Sequence, residues 1–433
     1  MNPALRLKQI LLVLGDIATL YAALFITLFI RYGVTWDSSE TQSHFQPFSL
    51  LFVVWILVFY INGLYEIHKM KNTGGFLRTV GAAIAVNAVI SVGFFYFVTI
   101  YGITPKTNLF IFLAFAFGLL YAWRAIYNDA LGQRLPVTPV AFFSTSKITD
   151  EIAHAITENP QLGYRITDTI ENADLIVVPP HENRDKRART TLYRYALAGV
   201  EVTDSSTFYE LIFGKLPIAE LEDAWFLKSL ANRRTIYDFF RIPLEMCMAL
   251  IIGVLTLPIT LTIALIIKLT SRGPIIFKQV RIGEFGREFT LYKFRSMIAN
   301  APDGSAEAGT GAIWKTKNDP RFTRIGRIIE RSHLDELPQL INILKGDASF
   351  VGPRPERPQF VHKLKEVIPY YELRHLVRPG IAGWAQLQYK YGASVEDAYQ
   401  KLQYDLYYLK NRSFLLDISI ILKTAKLFFT RST

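Results

Sequence analysis

Four long apolar runs, Ile10–Ile30, Phe48–Tyr65, Val80–Ile100 and Thr107–Trp123, fill most of the first 130 residues. Each nears the ~20 residues needed to cross a hydrocarbon core. Four such runs in succession call for a bilayer, because an aqueous fold of this size has no interior for that much apolar surface. The first run is too apolar throughout, and too soon followed by the next, to be a cleaved signal peptide. Composition agrees: 51% of the 433 residues are hydrophobic and 20% charged, against roughly 25% charged in a soluble domain. The apolar share also excludes a disordered chain. The single cysteine, Cys247, excludes a scaffold stapled by internal disulfides.

Basic residues orient the runs. Arg6 and Lys8 precede the first, and Lys69, Lys71 and Arg78 lie in or beside the middle loop, whereas the other two loops have only Arg31 and Lys106. The bias places the N-terminus and the middle loop in the cytoplasm, and an even number of spans leaves the rest of the chain there too. Asp16, inside the first run, reads as a carboxylate facing a helix neighbour rather than as part of a transport path. Of the net charge of +11, residues 231–433 carry +12, residues 1–130 +3 and residues 131–230 −4. The last stretch therefore has to meet something anionic.

Between Pro136 and Pro217 the pattern alternates. Strands are expected at Val140–Phe143, Leu175–Val178 and Val200–Thr203, with helices at Asp150–Glu158 and Thr190–Ala198. This βαβ order implies a small parallel sheet. A dinucleotide site would need glycines in the first strand-to-helix turn, but that turn is Ser144-Thr145-Ser146-Lys147. A structural or assembly role fits better than ligand binding, and assembly would make the protein a homo-oligomer.

A fifth apolar segment, Ile242–Ile267, is interrupted only by Glu245 and is basic on both flanks: Arg233, Arg234 and Arg241 before it, Lys268, Arg272 and Lys278 after it. Both ends therefore favour the cytoplasmic side, and Pro258 breaks the helix in mid-run. A hairpin that enters one leaflet and returns satisfies both facts.

Three motifs follow. Phe277–Gly283 and Phe289–Met297 read as a strand pair around a Gly283/Gly286 turn, ending in Lys293 and Arg295. Arg321, Arg324, Arg327 and Arg331 recur at helical spacing, with Ile325, Ile328 and Ile329 available for the buried side. They lead into Asp335-Glu336-Leu337-Pro338, where Asp335 suits a helix N-cap and Gly346 the helix end. That geometry can serve helix stability alone. It can equally hold phosphate at free N–H groups, coordinate Mg²⁺ through a carboxylate, or present a nucleophile to phosphorus. Spacing leaves both readings open. In Gly352-Pro353-Arg354-Pro355, prolines on both sides fix an extended loop and preset the direction of Arg354.

Together these motifs resemble the monotopic phosphoglycosyl transferases, also called bacterial sugar transferases or polyprenyl-phosphate hexose-1-phosphate transferases. The resemblance spans about residues 233–428 and includes Tyr292–Met297, Leu334–Leu340, Gly346-Asp347, Val351–Pro355, Arg378–Trp384 and Tyr404–Tyr408. The front of the chain is similar to the large members that initiate exopolysaccharide, capsule or O-antigen synthesis. The resemblance implies a four-helix transmembrane domain (1–130), a Rossmann-like domain without its glycine fingerprint (131–230) and an α+β catalytic domain (231–433) carrying a re-entrant hairpin (242–267).

It further implies a multi-pass protein of the bacterial inner membrane with its chemistry on the cytoplasmic face. Asp335 would attack the β-phosphate of a UDP-sugar, release UMP and pass the phosphosugar to undecaprenyl phosphate. Mg²⁺ would bridge Asp335 and the diphosphate, with Glu336 as metal neighbour or acid/base. Lys293, Arg295, Arg331, Pro353, Arg354 and Pro355 would form the substrate-binding set. Arg327 stands in reserve for Arg331, because this chain departs from the family pattern over Glu330-Arg331-Ser332-His333. Leu257-Pro258 replaces the family's usual Ser-Pro at the hairpin break, so another residue must repair the backbone there. His333 reads as a neighbour of the helix start.

Rival readings fit less of the chain. A membrane-anchored nucleotide-sugar dehydratase needs a second, intact dinucleotide fingerprint and a Tyr-x-x-x-Lys pair, and residues 231–433 contain neither. A non-catalytic scaffold or polymer-length regulator leaves Asp335-Glu336 and Pro353–Pro355 without a purpose. Nucleic-acid binding explains the charge alone and not the apolar hairpin.

Overall fold

The computed structural model describes residues 3–33, 38–66, 73–98, 106–133, 137–180, 185–221, 235–306, 319–389, 392 and 394–430. Lys69, Lys71, Arg233 and Arg234 lie outside the described residues. The chain divides into two compact units, Met1–Ile212 and Phe213–Thr433.

The first unit opens with four helices, α1 (Pro3–Tyr32), α2 (Ser38–Ile61), α3 (Gly74–Phe97) and α4 (Lys106–Gln133). All four are long and apolar enough to cross a membrane, and only 33%, 44%, 33% and 28% of their most apolar stretches are buried inside the protein. Most of each apolar surface therefore faces outward, which is stable only against lipid. Inside the bundle, Phe48, Phe52, Trp55 and Phe112 pack edge to face or stacked, and the indole of Trp55 donates to Ser91 Oγ at 3.1 Å.

Asp16 faces a helix neighbour, as its position suggested. It forms a fully buried ion pair with Arg124 of α4 and accepts from the Tyr65 hydroxyl at 2.8 Å. Arg124 also donates to the Leu64 carbonyl at 2.7 Å. One pair thus ties the first span, the last span and the turn after the second.

A four-stranded parallel sheet follows: β1 (Thr138–Phe142), β2 (Tyr164–Ile166), β3 (Leu175–Val178) and β4 (Glu201–Asp204), in the order β2-β1-β3-β4. Three strands match the alternation in the sequence. The edge strand β2 is only three residues long, too short to give a periodic signal. The helices are α5 (Lys147–Glu158), α6 (Lys186–Leu197) and α7 (Ser205–Phe213). The glycine-free turn before α5 serves as a capping box, in which Ser146 and Thr149 satisfy each other's backbone N–H.

The second unit begins with a segment that the sequence pattern groups with the sheet. Leu216, Ile218 and Leu221 are buried in its core, and the Leu216 N–H donates to the Gln403 carbonyl at 3.1 Å. The fifth apolar run forms two helices, α8 (Thr235–Leu255) and α9 (Leu257–Thr270), bent by 62° at Thr256. Pro258 lies in the first turn of α9, where a missing N–H leaves no bond unmade. Threonine hydroxyls complete the bend: Thr256 donates to Ile252 O at 2.7 Å, Thr260 to Thr256 O at 2.9 Å and Thr262 to Pro258 O at 2.8 Å.

Strands β5 (Ile276–Ile282) and β6 (Glu288–Phe294) form the expected antiparallel pair, with Phe277 opposite Lys293. Then come α10 (Arg324–Arg331), α11 (Leu340–Lys345), β7 (Ser349–Val351), α12 (Pro358–Val367), β8 (Gly380–Ala382), α13 (Trp384–Gln388), α14 (Val395–Asn411) and α15 (Phe414–Thr430). β7 and β8 pair in parallel.

Replacing Arg124 by leucine leaves the Asp16 charge buried and unpaired, a change that costs about 3–5 kcal/mol. We expect Arg124→Leu to lower the thermal midpoint in detergent sharply, and addition of Asp16→Leu to restore much of it. Equal midpoints for wild type and Arg124→Leu would contradict a clamping role.

Candidate active site

The site is built from two short segments and one strand end. Thr323 caps α10 by accepting from the Gly326 N–H at 2.8 Å. Ile325 and Ile329 pack with Ile263, Ile267 and Phe294, joining α10 to the hairpin and to β6. Ile328, expected on the buried side, is 65% exposed. Arg321 lies outside the helix and pairs with Asp319, because Thr323 already starts the first turn. His333 then adopts a left-handed conformation (φ 55°), and a 3-10 helix runs over Leu334–Gln339 before α11.

Asp335 is therefore inside the 3-10 turn and not at its cap. Its carboxylate is turned toward β6, where Lys293 Nζ lies 3.5 Å from Oδ2. Its other oxygen, Oδ1, is buried and has no hydrogen-bond partner among the described residues. Lys293 Nζ also donates to Glu336 Oε1 at 2.7 Å, and Arg354 Nη2 donates to the same oxygen at 3.1 Å. The structure thus brings together Asp335, Glu336, Lys293 and Arg354.

Electrostatics separates the two adjacent carboxylates. Burial pushes the Asp335 carboxyl up to about 6, against the pull of Lys293. Burial acts on Glu336 in the same sense, but Lys293 and Arg354 outweigh it and hold that carboxyl well below the usual range. Glu336 is thereby a fixed anion that orients two cations, while Asp335 keeps an oxygen available for other chemistry. Burial also lowers His333, which favours its neutral form near pH 7.

The remaining expected residues divide by position. Pro353 and Pro355 shape the Arg354 loop. Strand β7 enters that loop so close to β8 that a Cβ on Gly352 would lie 2.4 Å from the Arg378 carbonyl, and one on Gly380 2.0 Å from the Gly352 nitrogen. Arg331 and its reserve Arg327 are exposed on α10, without an ion pair among the described residues. Arg295, expected with the substrate-binding set, is 2% exposed and directs its guanidinium to backbone carbonyls, those of Arg272 at 2.6 Å and Ser271 at 3.0 Å. Those carbonyls close the C-terminal end of α9, so Arg295 fixes the chain where it leaves that helix. Leu257 and Pro258 lie at the bend between α8 and α9.

The donor set also bears on Mg²⁺. Among the described residues no group of three His, Cys, Asp or Glu side chains could hold a metal. A small hard cation that takes one or two carboxylates, with waters and phosphate oxygens completing its shell, suits such a site. Asp335 and Glu336 are the two carboxylates that the site would offer such a cation.

Sequence reasoning missed Asn342. It is fully buried, accepts from the Tyr292 N–H at 3.1 Å and donates to the Thr290 carbonyl at 2.7 Å. Its amide thus takes the place of a neighbouring strand along β6 and holds that strand, with Lys293, against α11. A lone asparagine within Leu340-Ile341-Asn342-Ile343-Leu344 was the available signal.

The family described as "Bacterial sugar transferase" matches residues 236–431. A UDP-N-acetylgalactosamine-undecaprenyl-phosphate N-acetylgalactosaminephosphotransferase of Aeromonas hydrophila is 40% identical over 239 residues, 55% of each chain. A UDP-glucose:undecaprenyl-phosphate glucose-1-phosphate transferase of Xanthomonas campestris pv. campestris is 45% identical over 39% of this chain and 34% of its own length. The exopolysaccharide production protein PSS of Rhizobium leguminosarum bv. phaseoli is 41% identical over 40% of this chain and 87% of its own length. The chain belongs to the bacterial sugar transferase family. It matches about half the length of the Aeromonas relative and about a third of the Xanthomonas one.

Exchanging Asn342 for leucine keeps the branched heavy-atom skeleton but strands the Tyr292 N–H and the Thr290 carbonyl, at about 1–3 kcal/mol for each buried group. The expected result is a lower melting temperature for Asn342→Leu, read by differential scanning fluorimetry in detergent. An unshifted transition would remove Asn342 from this account.

Proposed function

We propose that this protein transfers a sugar-1-phosphate from a UDP-sugar to undecaprenyl phosphate at the cytoplasmic face of a bacterial inner membrane, as an initiating step of surface polysaccharide synthesis. The observation that carries the reading is Asp335: a buried carboxylate with one unpartnered oxygen, beside Lys293 and the Glu336–Arg354 pair. The names of the Aeromonas and Xanthomonas relatives support the acceptor and the nucleotide-linked donor. They name different sugars, so the reading stops at a UDP-linked hexose.

In the first half-reaction a carboxylate oxygen of Asp335 bonds to the β-phosphorus, the bond from that phosphorus to the bridging oxygen breaks, and UMP leaves with the electron pair. In the second, a phosphate oxygen of undecaprenyl phosphate bonds to the same phosphorus and the carboxylate is released. Lys293 and Arg354 meet the charge on the diphosphate, and Glu336 keeps both cations aimed at it. Asp335 and Glu336 would hold Mg²⁺, which neutralises charge on the diphosphate when bound.

The bent pair α8–α9 serves as a re-entrant hairpin that presents this unit to a lipid-borne acceptor. Its 62° bend, apolar outer faces and basic flanks support that placement. The parallel sheet of the first unit has the order β2-β1-β3-β4 that doubly wound sheets share, but a capping box stands where a dinucleotide would need glycine.

With purified protein, Mg²⁺, undecaprenyl phosphate and a panel of UDP-sugars, we expect UMP release with at least one donor and none from Asp335→Asn. Release at the wild-type rate from that variant would sink the nucleophile assignment. For the hairpin, single cysteines at Ile236 and Arg272 in a Cys247→Ser background should both react with an impermeant thiol reagent from the cytoplasmic side. Labelling from opposite sides would make the segment a true span.

A further inference from the structure

The carbonyls of Pro353, Arg354 and Pro355 are each held by a donor from outside the loop. The Gly380 N–H donates to Pro353 at 3.0 Å, Arg374 Nη2 to Arg354 at 3.0 Å and Arg281 Nη1 to Pro355 at 2.8 Å. Two of the three residues are prolines without an N–H, so the segment cannot be secured through its own donors. Arg374 holds the middle carbonyl, that of the residue whose side chain reaches Glu336.

Arg374 is itself rigidly placed. It is 6% exposed, its Nη2 lies 2.8 Å from Asp405 Oδ2, and its Nη1 donates to the Tyr371 hydroxyl at 2.7 Å. Its guanidinium also lies over the Tyr371 ring, 5.2 Å from the centroid. Asp405 projects from α14 and is 2% exposed. A guanidinium buried this deeply requires a carboxylate partner, and the planar fork then aims its N–H groups in fixed directions. One chain of contacts results, from Asp405 through Arg374 and the Arg354 backbone to Glu336.

We propose that Arg374, oriented by Asp405, is the positioning residue that aims the Arg354 guanidinium at the acidic pair and at the donor's diphosphate. The inference rests on the transfer reaction proposed above for the use to which Arg354 is put. Arg374 and Asp405 touch neither donor nor acceptor in this scheme. Their effect passes through Arg354, and this separates the proposal from a purely structural ion pair. A structural pair would act on folding, and its loss would multiply with the loss of Arg354. A positioning pair acts only while Arg354 is present.

The test is a double-mutant cycle in the full chain. Arg354→Ala, Arg374→Lys and the double variant are compared for kcat/KM in UMP release and, independently of turnover, for UDP affinity by titration calorimetry. Arg374→Lys keeps the charge beside Asp405 but loses the fork. A reacting group displaced by about 1 Å loses on the order of 100-fold in rate, so we expect a loss of that order in kcat/KM for Arg374→Lys. The double variant should be within about twofold of Arg354→Ala alone, the margin expected for full coupling. UDP affinity should follow the same non-additive pattern.

Losses that multiply, or wild-type behaviour of Arg374→Lys, would overturn the proposal. If Arg374→Lys loses its cooperative melting transition, Asp405→Asn takes its place in the same cycle, with the same expected coupling. Absence of UMP release from the wild type with every donor would instead overturn the transfer reading, and the UDP-affinity cycle would still decide whether Arg374 acts through Arg354.

Discussion

Arg241 lies within the first hairpin helix, yet its guanidinium donates to Ser349 Oγ and to the Val351 carbonyl, in the strand that runs into Gly352-Pro353-Arg354. Glu245, one turn along, accepts from the Ser349 hydroxyl at 2.7 Å, and Asp417 faces Arg241 Nε at 3.3 Å. Tyr237 and Tyr408 both donate to Asp417. These charged and polar groups are buried together, and each loses solvation that only the others replace. The apolar helix α8 is thereby joined to the strand that leads into the Arg354 loop by polar contacts, so the placement of α8 also sets the position of Arg354.

From that junction the rest of the site follows by short links. Arg295 closes the C-terminal end of α9, and Ile263 and Ile267 of the same helix pack on Phe294 and Ile329. Asn342 binds β6 to α11, which brings Lys293 to the 3-10 turn holding Asp335. Rigidity here has a chemical use. Carboxylates this close repel each other, and two cations held in fixed positions decide which one remains a plain anion. The result is an asymmetric pair in which Glu336 Oε1 is held by two cations and Asp335 Oδ1 by none among the described residues.

Local pattern made much of this legible. The four apolar helices, the break at Pro258, the β5–β6 pair, a helix through Arg324–Arg331 and the end of α11 at Gly346 all follow from hydropathy, periodicity and turn residues. Asp335 is not the cap, because a left-handed His333 starts a 3-10 turn two residues earlier, and no propensity rule anticipates that backbone. Arg295 is expected with Lys293 in the substrate-binding set, but it is buried against the end of α9. The contacts that matter most were illegible for one reason. Asp16 meets Arg124, and Arg241 meets Ser349, across 108 residues in each case, and single-sequence periodicity carries no information about such partners. In retrospect the polar residues within apolar runs, Asp16, Glu245 and Asn342, were the visible trace of these contacts.

The central claim is that the Asp335 carboxylate bonds covalently to phosphorus. The most direct measurement is to incubate the protein with a UDP-sugar carrying radiolabel in the β-phosphate, without acceptor, and to map the label by peptide analysis after an acid quench. The account predicts label on the peptide containing Asp335, its loss on adding undecaprenyl phosphate, and none in Asp335→Asn. Turnover without protein-bound label, or label on a peptide lacking Asp335, would contradict it.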